Sequence, residues 1–157
     1  MTEEVFLSKV KVHEGIINKI LYLYVDSNED RRDMYQEIVL QAWKSVERFR
    51  GDSQFSTWLY RISLNTVMTF IRKEGRLKKE SLDTALPITM AVNEQSDRSM
   101  KLMFAIKQLN DIDKSIITLH LDDYGNDEIA EILGISKNNV AVKIHRIKEE
   151  LKKKMKG

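Results

Sequence analysis

The 157-residue chain contains no cysteine, a single proline and only six glycines. Without cysteine it has no disulfide framework, no Cys-ligated zinc site and no thiol nucleophile. So little proline and glycine suits a helical chain with few breaks. Long hydrophobic runs are missing too. The longest, Ile20–Val25, falls far short of the ~18–20 residues that span a bilayer, so no membrane insertion is expected. The first residues, MTEEVF, are acidic and lack the basic-then-apolar order of a secretion signal, which points to the cytoplasm. What is present is 42% hydrophobic and 32% charged, enough to bury a core and too apolar for wholesale disorder. At about 150 residues per domain, this length holds one domain or two small ones.

The net charge of +2 is uninformative, but its distribution is not. Residues 1–74 balance 11 basic against 11 acidic side chains, and residues 97–131 carry four basic and eight acidic, net −4. Residues 137–157 carry eight basic and two acidic, net +6. A basic end of this kind is the electrostatic footprint of a nucleic-acid contact, although a solvated lysine-rich terminus looks the same in isolation.

Helical periodicity predicts helices at about 10–25, 31–48, 56–74, 100–109, 113–121, 127–133 and 137–154. No segment shows sustained strand-type alternation, so the expected class is all-α. Residues 76–97 include the sole proline, Pro87, and the stretch TALPITMAV has no helical face. A structureless stretch of that length is unusual inside one compact domain. The organisation expected is therefore two small helical domains, 1–75 and 98–157, joined by a flexible linker at 76–97.

Candidate catalytic and metal sites fail on spacing. His13-Glu14 begins like a zinc-protease HExxH motif, but Ile17 stands where the second histidine is required. Asp122-Asp123-Tyr124-Gly125 with Glu131 resembles a calcium loop, yet placing Gly125 at loop position six puts His120 and Tyr124 at oxygen-ligand positions. No Gly-rich phosphate loop or nucleophile elbow occurs. The expectation is a non-enzyme without metal or cofactor.

The segment DEIAEILGISKNNVAVKIHRIKEELKK has its own logic. Asp127–Leu133 forms a short helix with Ile129, Ala130 and Leu133 inward. Gly134 follows where a helix end favours a left-handed residue. Ile135 plugs between the helices, and Ser136 caps the next one. There Val140, Ile144, Ile147 and Leu151 lie within about 60° at 100° per residue and form the docking stripe. The opposite side offers Asn138, Asn139, Val142, His145 and Arg146. Two helices joined by a short Gly-containing turn make a helix-turn-helix, whose second helix enters the DNA major groove. There Asn pairs with adenine, and Arg or Lys with guanine or phosphate.

In RFRGDSQFSTWLYRISLNTVMTFIRK, Arg61, Asn65 and Arg72 lie within about 40° on a helix at 100° per residue, with Trp58 beside them. Phe55, Leu59, Ile62, Thr66 and Phe70 form a separate, mostly apolar face. Arginines interleaved with aromatics suit unpaired bases, which stack on rings without sequence demands. Taken alone, Trp58 and Phe55 fit a packed core better than a binding face. Upstream, Asp33, Gln36 and Glu37 share a polar face, an amphipathic pattern that by itself assigns no function.

The blocks DMYQEIVLQAW, FRGDSQFSTWLYRISLN and LNDIDKSIITLHLDDYGNDEIAEILGISKNNVAVKIHRIKEEL, in this order, resemble the bacterial extracytoplasmic-function (ECF) sigma factors of the sigma-70 family. These are minimal RNA polymerase sigma subunits that keep the second and fourth conserved sigma regions. The resemblance implies that Asp33, Gln36 and Glu37 dock on the coiled coil of the polymerase beta-prime subunit. It implies that Phe49, Arg50, Ser53, Trp58, Arg61, Asn65 and Arg72 act on the minus-ten promoter element and capture its flipped bases. Ser136, Lys137, Asn138, Asn139, Val142, Lys143, Arg146 and Lys148 would then read the minus-thirty-five element, with the same domain touching the beta flap. A cognate anti-sigma factor is a further implied partner. Ala141 and Val142 replace the Lys and Ser of many members, so a promoter sequence does not carry over. Two rivals stay open on the residues alone: a free-standing helix-turn-helix regulator with an N-terminal interaction domain, and a polymerase-binding adaptor that reads no promoter.

Overall fold

The structure, a computed structural model, describes residues 1–49, 51, 54–75 and 94–156. These residues form eight α-helices and no strand: α1 (Glu3–Val12), α2 (Glu14–Tyr24), α3 (Asn28–Ser45), α4 (Phe55–Gly75), α5 (Glu94–Lys107), α6 (Asp111–Leu121), α7 (Asn126–Leu133) and α8 (Lys137–Lys156), with one 3-10 turn at Val46–Arg48. The chain divides into two compact units, Met1–Leu86 and Pro87–Gly157.

In the first unit α4 packs on both α2 and α3. Its buried residues are Phe55, Leu59, Tyr60, Ser63, Leu64 and Val67. The apolar face expected from the sequence was rotated away from this arc, because Ile62, Thr66 and Phe70 are only half-buried. The reason is the second neighbour. A helix wedged between two others buries about half its circumference, so Tyr60, Leu64 and Val67 face inward too. Ser63 lies in that arc at little cost because its hydroxyl donates to the Leu59 carbonyl at 2.7 Å. On α3, Met34, Ile38 and Ala42 recur at i, i+4 and i+8 and are buried.

The helix predicted at 10–25 proves to be α2 with only the last residues of α1, and residues 3–9 of α1 belong to no predicted helix. Thr2 caps α1, its hydroxyl accepting from the Val5 amide. The chain then breaks at His13, whose amide donates to the Lys9 and Val10 carbonyls. Neither Pro nor Gly marks position 13, and Phe6, Val10, Ile17, Ile20 and Leu21, all buried, keep a helical period across the break. Periodicity alone cannot register it.

In the second unit α8 packs against α5, α6 and α7. The core is Ala105, Ile106, Leu109, Ile116, Ile117, Leu119 and Ile129, closed by Val140, Ile144, Ile147 and Leu151. Helix α5 starts at Glu94, so residues 94–97, read as linker, are helical; residues 76–93 lie outside the described ones. Its first turn has no apolar pattern to betray it. No helix among the described residues is long and apolar enough to cross a membrane.

Candidate nucleic-acid interface

Helix α8 has a buried side and an exposed side. Val140, Ile144, Ile147 and Leu151 are buried, while Asn138, Asn139, Val142, His145, Arg146 and Lys148 are exposed and Lys143 is half-buried. The preceding turn is built as its residues require. Gly134 sits in the left-handed region at φ 70°, where a side chain is strained. Its amide closes α7 by donating to the Ala130 carbonyl at 2.8 Å. Ser136 then caps α8, its hydroxyl accepting from the Asn139 amide at 3.2 Å. That bond uses the Asn139 backbone and leaves its amide side chain available to a ligand.

Two of the cations expected to face DNA also face acids. Lys137 Nζ lies 3.0 Å from Asp127 on α7. Arg146 Nη2 lies 3.8 Å from Oδ1 of Asp113 on α6. Lys137 and Asp127 are both well exposed, a pair of small energetic weight. Asp113 is different, because its side chain is only 5% exposed.

In the first unit the expected site residues are less exposed. Phe49 and Trp58 are half-buried, with ring centroids 5.2 Å apart. Both rings lean on buried Phe55, at 5.9 Å and 5.4 Å. Phe55 also meets Phe6 at 6.5 Å and His13 at 5.6 Å, with Lys9 Nζ over its face at 5.6 Å. Phe6 in turn touches Trp43 at 5.1 Å. Trp58 is thus part core and part surface. Arg61 is half-buried, Asn65 and Arg72 are exposed, and Arg50 and Ser53 lie outside the described residues.

Asp33, Gln36 and Glu37 are exposed on α3, opposite Met34, Ile38 and Ala42. Glu37 Oε1 accepts from Gln41 Nε2 at 2.8 Å. Gln36 borders an apolar groove of about 310 Å³ between α1 and α3 with Phe6, Leu7, Tyr35, Leu40 and Trp43. Burial first, and Glu14 second, push the Tyr35 phenol above its ordinary range. Glu37 borders a second groove of about 470 Å³ between α3 and α4, shared with Gln41, Asn65, Thr66, Phe70 and Lys73. The fold therefore brings Glu37 and Asn65 to one groove, a neighbourhood invisible in the separate motifs.

The Sigma-70 region 2 family profile matches residues 10–77, and the Sigma-70 region 4 profile matches residues 99–151. The chain is 30% identical over 161 positions to the ECF RNA polymerase sigma-E factor of Haemophilus influenzae, covering 93% of this chain and 85% of that relative.

The chain belongs to the ECF sigma factors of the sigma-70 family.

It is 27% identical over 170 positions to the ECF sigma factor SigW of Bacillus subtilis, covering 98% of this chain and 90% of the relative. Its fold resembles that of the sigma factor RpoE of Bartonella quintana, solved with the anti-sigma factor NepR, at a TM-score of 0.80 and 18% identity over 99% of this chain and 98% of that one. The protein is a sigma factor acting in transcription initiation, so the free-standing regulator and the adaptor fall away. Region 2 spans α2 to α4 with the last residues of α1; region 4 spans most of α5 to α8. Sequence reasoning missed two contributors. Phe6 and Lys9, from a helix the periodicity did not resolve, gather on Phe55 with His13 just after it. Asp113 was signalled only by the Asn110-x-x-Asp113 spacing, a helix-start pattern.

Proposed function

We propose that this sigma factor divides its work between its two units. Residues 1–75 bind core RNA polymerase and act on the minus-ten element, and residues 98–157 read the minus-thirty-five element. In the first unit, Asp33, Gln36 and Glu37 on α3 contact the beta-prime coiled coil. Phe49, Arg50, Ser53, Trp58, Arg61, Asn65 and Arg72 engage the opened non-template strand. In the second, Asn138, Asn139 and Val142 meet base edges, while Ser136, Lys137, Lys143, Arg146 and Lys148 meet phosphate or guanine. This unit also rests on the beta flap. The protein is not itself a catalyst, works in the cytoplasm beside the polymerase, and has a cognate anti-sigma factor, as does the Bartonella protein of the same fold.

One observation carries the reading of the second unit: α8 buries a complete apolar stripe and presents two asparagines in its first turn, the part of such a helix that reaches bases. For the first unit the reading is supported by the fact that Glu37 and Asn65 line one groove between α3 and α4. The test is to mix the protein with core polymerase and a promoter library and to sequence the transcript starts. Starts downstream of two spaced sequence blocks are expected. No stimulation over core enzyme, or dependence on one block alone, contradicts the proposal.

A further inference from the structure

Asp113 is a carboxylate almost closed off from solvent, with a side chain 5% exposed, yet no hydrophobic-core role explains a charge there. Part of its setting is local. Asn110 caps α6, its Oδ1 accepting from the Asp113 amide at 2.9 Å. Asn110 Nδ2 returns a bond to Asp113 Oδ2 at 3.1 Å. That satisfies one carboxylate oxygen. Oδ1 makes no hydrogen bond among the described residues and faces Arg146 Nη2 at 3.8 Å. Arg146 stands on the solvent side of α8, its side chain 60% exposed.

A guanidinium is a rigid planar fork with five donors. When one edge is drawn toward a fixed, buried carboxylate, the other donors point in a restricted direction. The carboxylate is itself rigid, since it sits in the first turn of α6 under the Asn110 cap. An arginine anchored this way reaches DNA with less side-chain freedom to lose, which is how preorganisation raises affinity. The two residues are 33 positions apart and on different helices, so only the fold brings them together.

We infer that Asp113 is a positioning residue for promoter reading: it holds the Arg146 guanidinium so that its outer donors meet the upstream promoter element. This rests on the proposed role of α8, and the two can fail separately.

The experiment uses holoenzyme assembled with the full chain as wild type, Asp113→Asn, Arg146→Ala, the double variant and Asn139→Ala. The probe is duplex DNA carrying the upstream element selected by the wild-type holoenzyme, with a scrambled copy as control. Asp113→Asn keeps the shape and the Asn110 contacts while removing the charge. Arg146→Ala should weaken binding roughly tenfold, within the range of a single DNA contact. Asp113→Asn should cause most of that loss alone, and no further loss when Arg146 is already alanine, the signature of two residues acting as a unit. A merely structural Asp113 would give equal losses in both backgrounds, together with a lowered melting temperature, and either result overturns the proposal. Tighter binding by Asp113→Asn also overturns it, since the carboxylate would then compete with DNA for the arginine. If Arg146→Ala changes nothing while Asn139→Ala loses sequence preference, the positioning role is wrong and α8 still reads the promoter.

Discussion

In region 4 the residues that hold α8 in place and the residues proposed to meet DNA lie on opposite sides of one helix, whereas in region 2 the two proposed sets overlap. Val140, Ile144, Ile147 and Leu151 can stay untouched while Asn138 or Asn139 is changed. Phe49 and Trp58 cannot be treated so, because both rings lean on buried Phe55. A helix that inserts into a duplex groove needs only an exposed edge. A surface that captures unpaired bases needs broad aromatic faces, and aromatic rings are held at a fixed angle by packing against one another.

The overlap makes the largest expected effect a structural one. Phe55→Ala removes the hub between Phe6, His13, Phe49 and Trp58, and should destabilise region 2 by about 3–5 kcal/mol, as large-to-small core changes do. Chemical denaturation followed by Trp fluorescence measures it, since Trp43 and Trp58 both belong to this cluster. A loss below about 1 kcal/mol would show that the rings do not share one core.

The α3 face sharpens the comparison, because it is the part of region 2 built like α8. Asp33→Ala, Gln36→Ala and Glu37→Lys together should weaken core polymerase binding by about 2–5 kcal/mol, the usual cost of cutting one partner from an interfacial charge pair. Helicity should be unchanged, since Met34, Ile38 and Ala42 hold the helix from the other side. A pull-down that recovers wild-type amounts of polymerase would remove the assignment.

Smaller effects belong to region 4. Asn139→Ala should cost about 1–3 kcal/mol on the preferred upstream element and much less on scrambled DNA, with little change in melting temperature. Lys143→Ala or Lys148→Ala should instead weaken both DNAs alike and flatten the salt slope by about one unit per lost contact. Loss of sequence preference from the lysine variants, with Asn139→Ala silent, would reverse the division between the two groups. Ser136→Ala should show the smallest effect, about 1 kcal/mol of stability through the lost cap, readable as a modest shift in thermal unfolding.

The same contrast explains how far the amino-acid sequence discloses the protein. The helix-turn-helix is legible because everything that defines it is local: an apolar stripe at i, i+4, i+7 and i+11, a left-handed Gly134 and a Ser136 cap. The all-α class and the two-unit organisation follow from equally local signals. Helix α1 is not legible, since the break falls at His13 itself, which is neither Pro nor Gly, and the apolar period of Phe6, Val10 and Ile17 runs on across it. The buried arc of α4 is half legible, because periodicity finds one packing neighbour and α4 has two. Contacts across long separations are beyond such reading altogether. Phe6 on Phe55, Glu37 beside Asn65, and Asp113 facing Arg146 each join residues whose spacing carries no period.

The division of labour is tested most directly by one comparison of promoter opening on two templates. Holoenzyme with Arg61→Ala and Asn65→Ala, and holoenzyme with Asn139→Ala, are each assayed on duplex promoter DNA and on the same promoter pre-melted across the minus-ten element. The region 2 variant should open the duplex slowly and recover most of its activity on the pre-melted template, because opening is the step it lacks. The Asn139→Ala holoenzyme should stay equally impaired on both, since the upstream duplex it reads is unchanged. Equal defects of the region 2 variant on the two templates would show that Arg61 and Asn65 merely attract the DNA backbone, and would contradict the account.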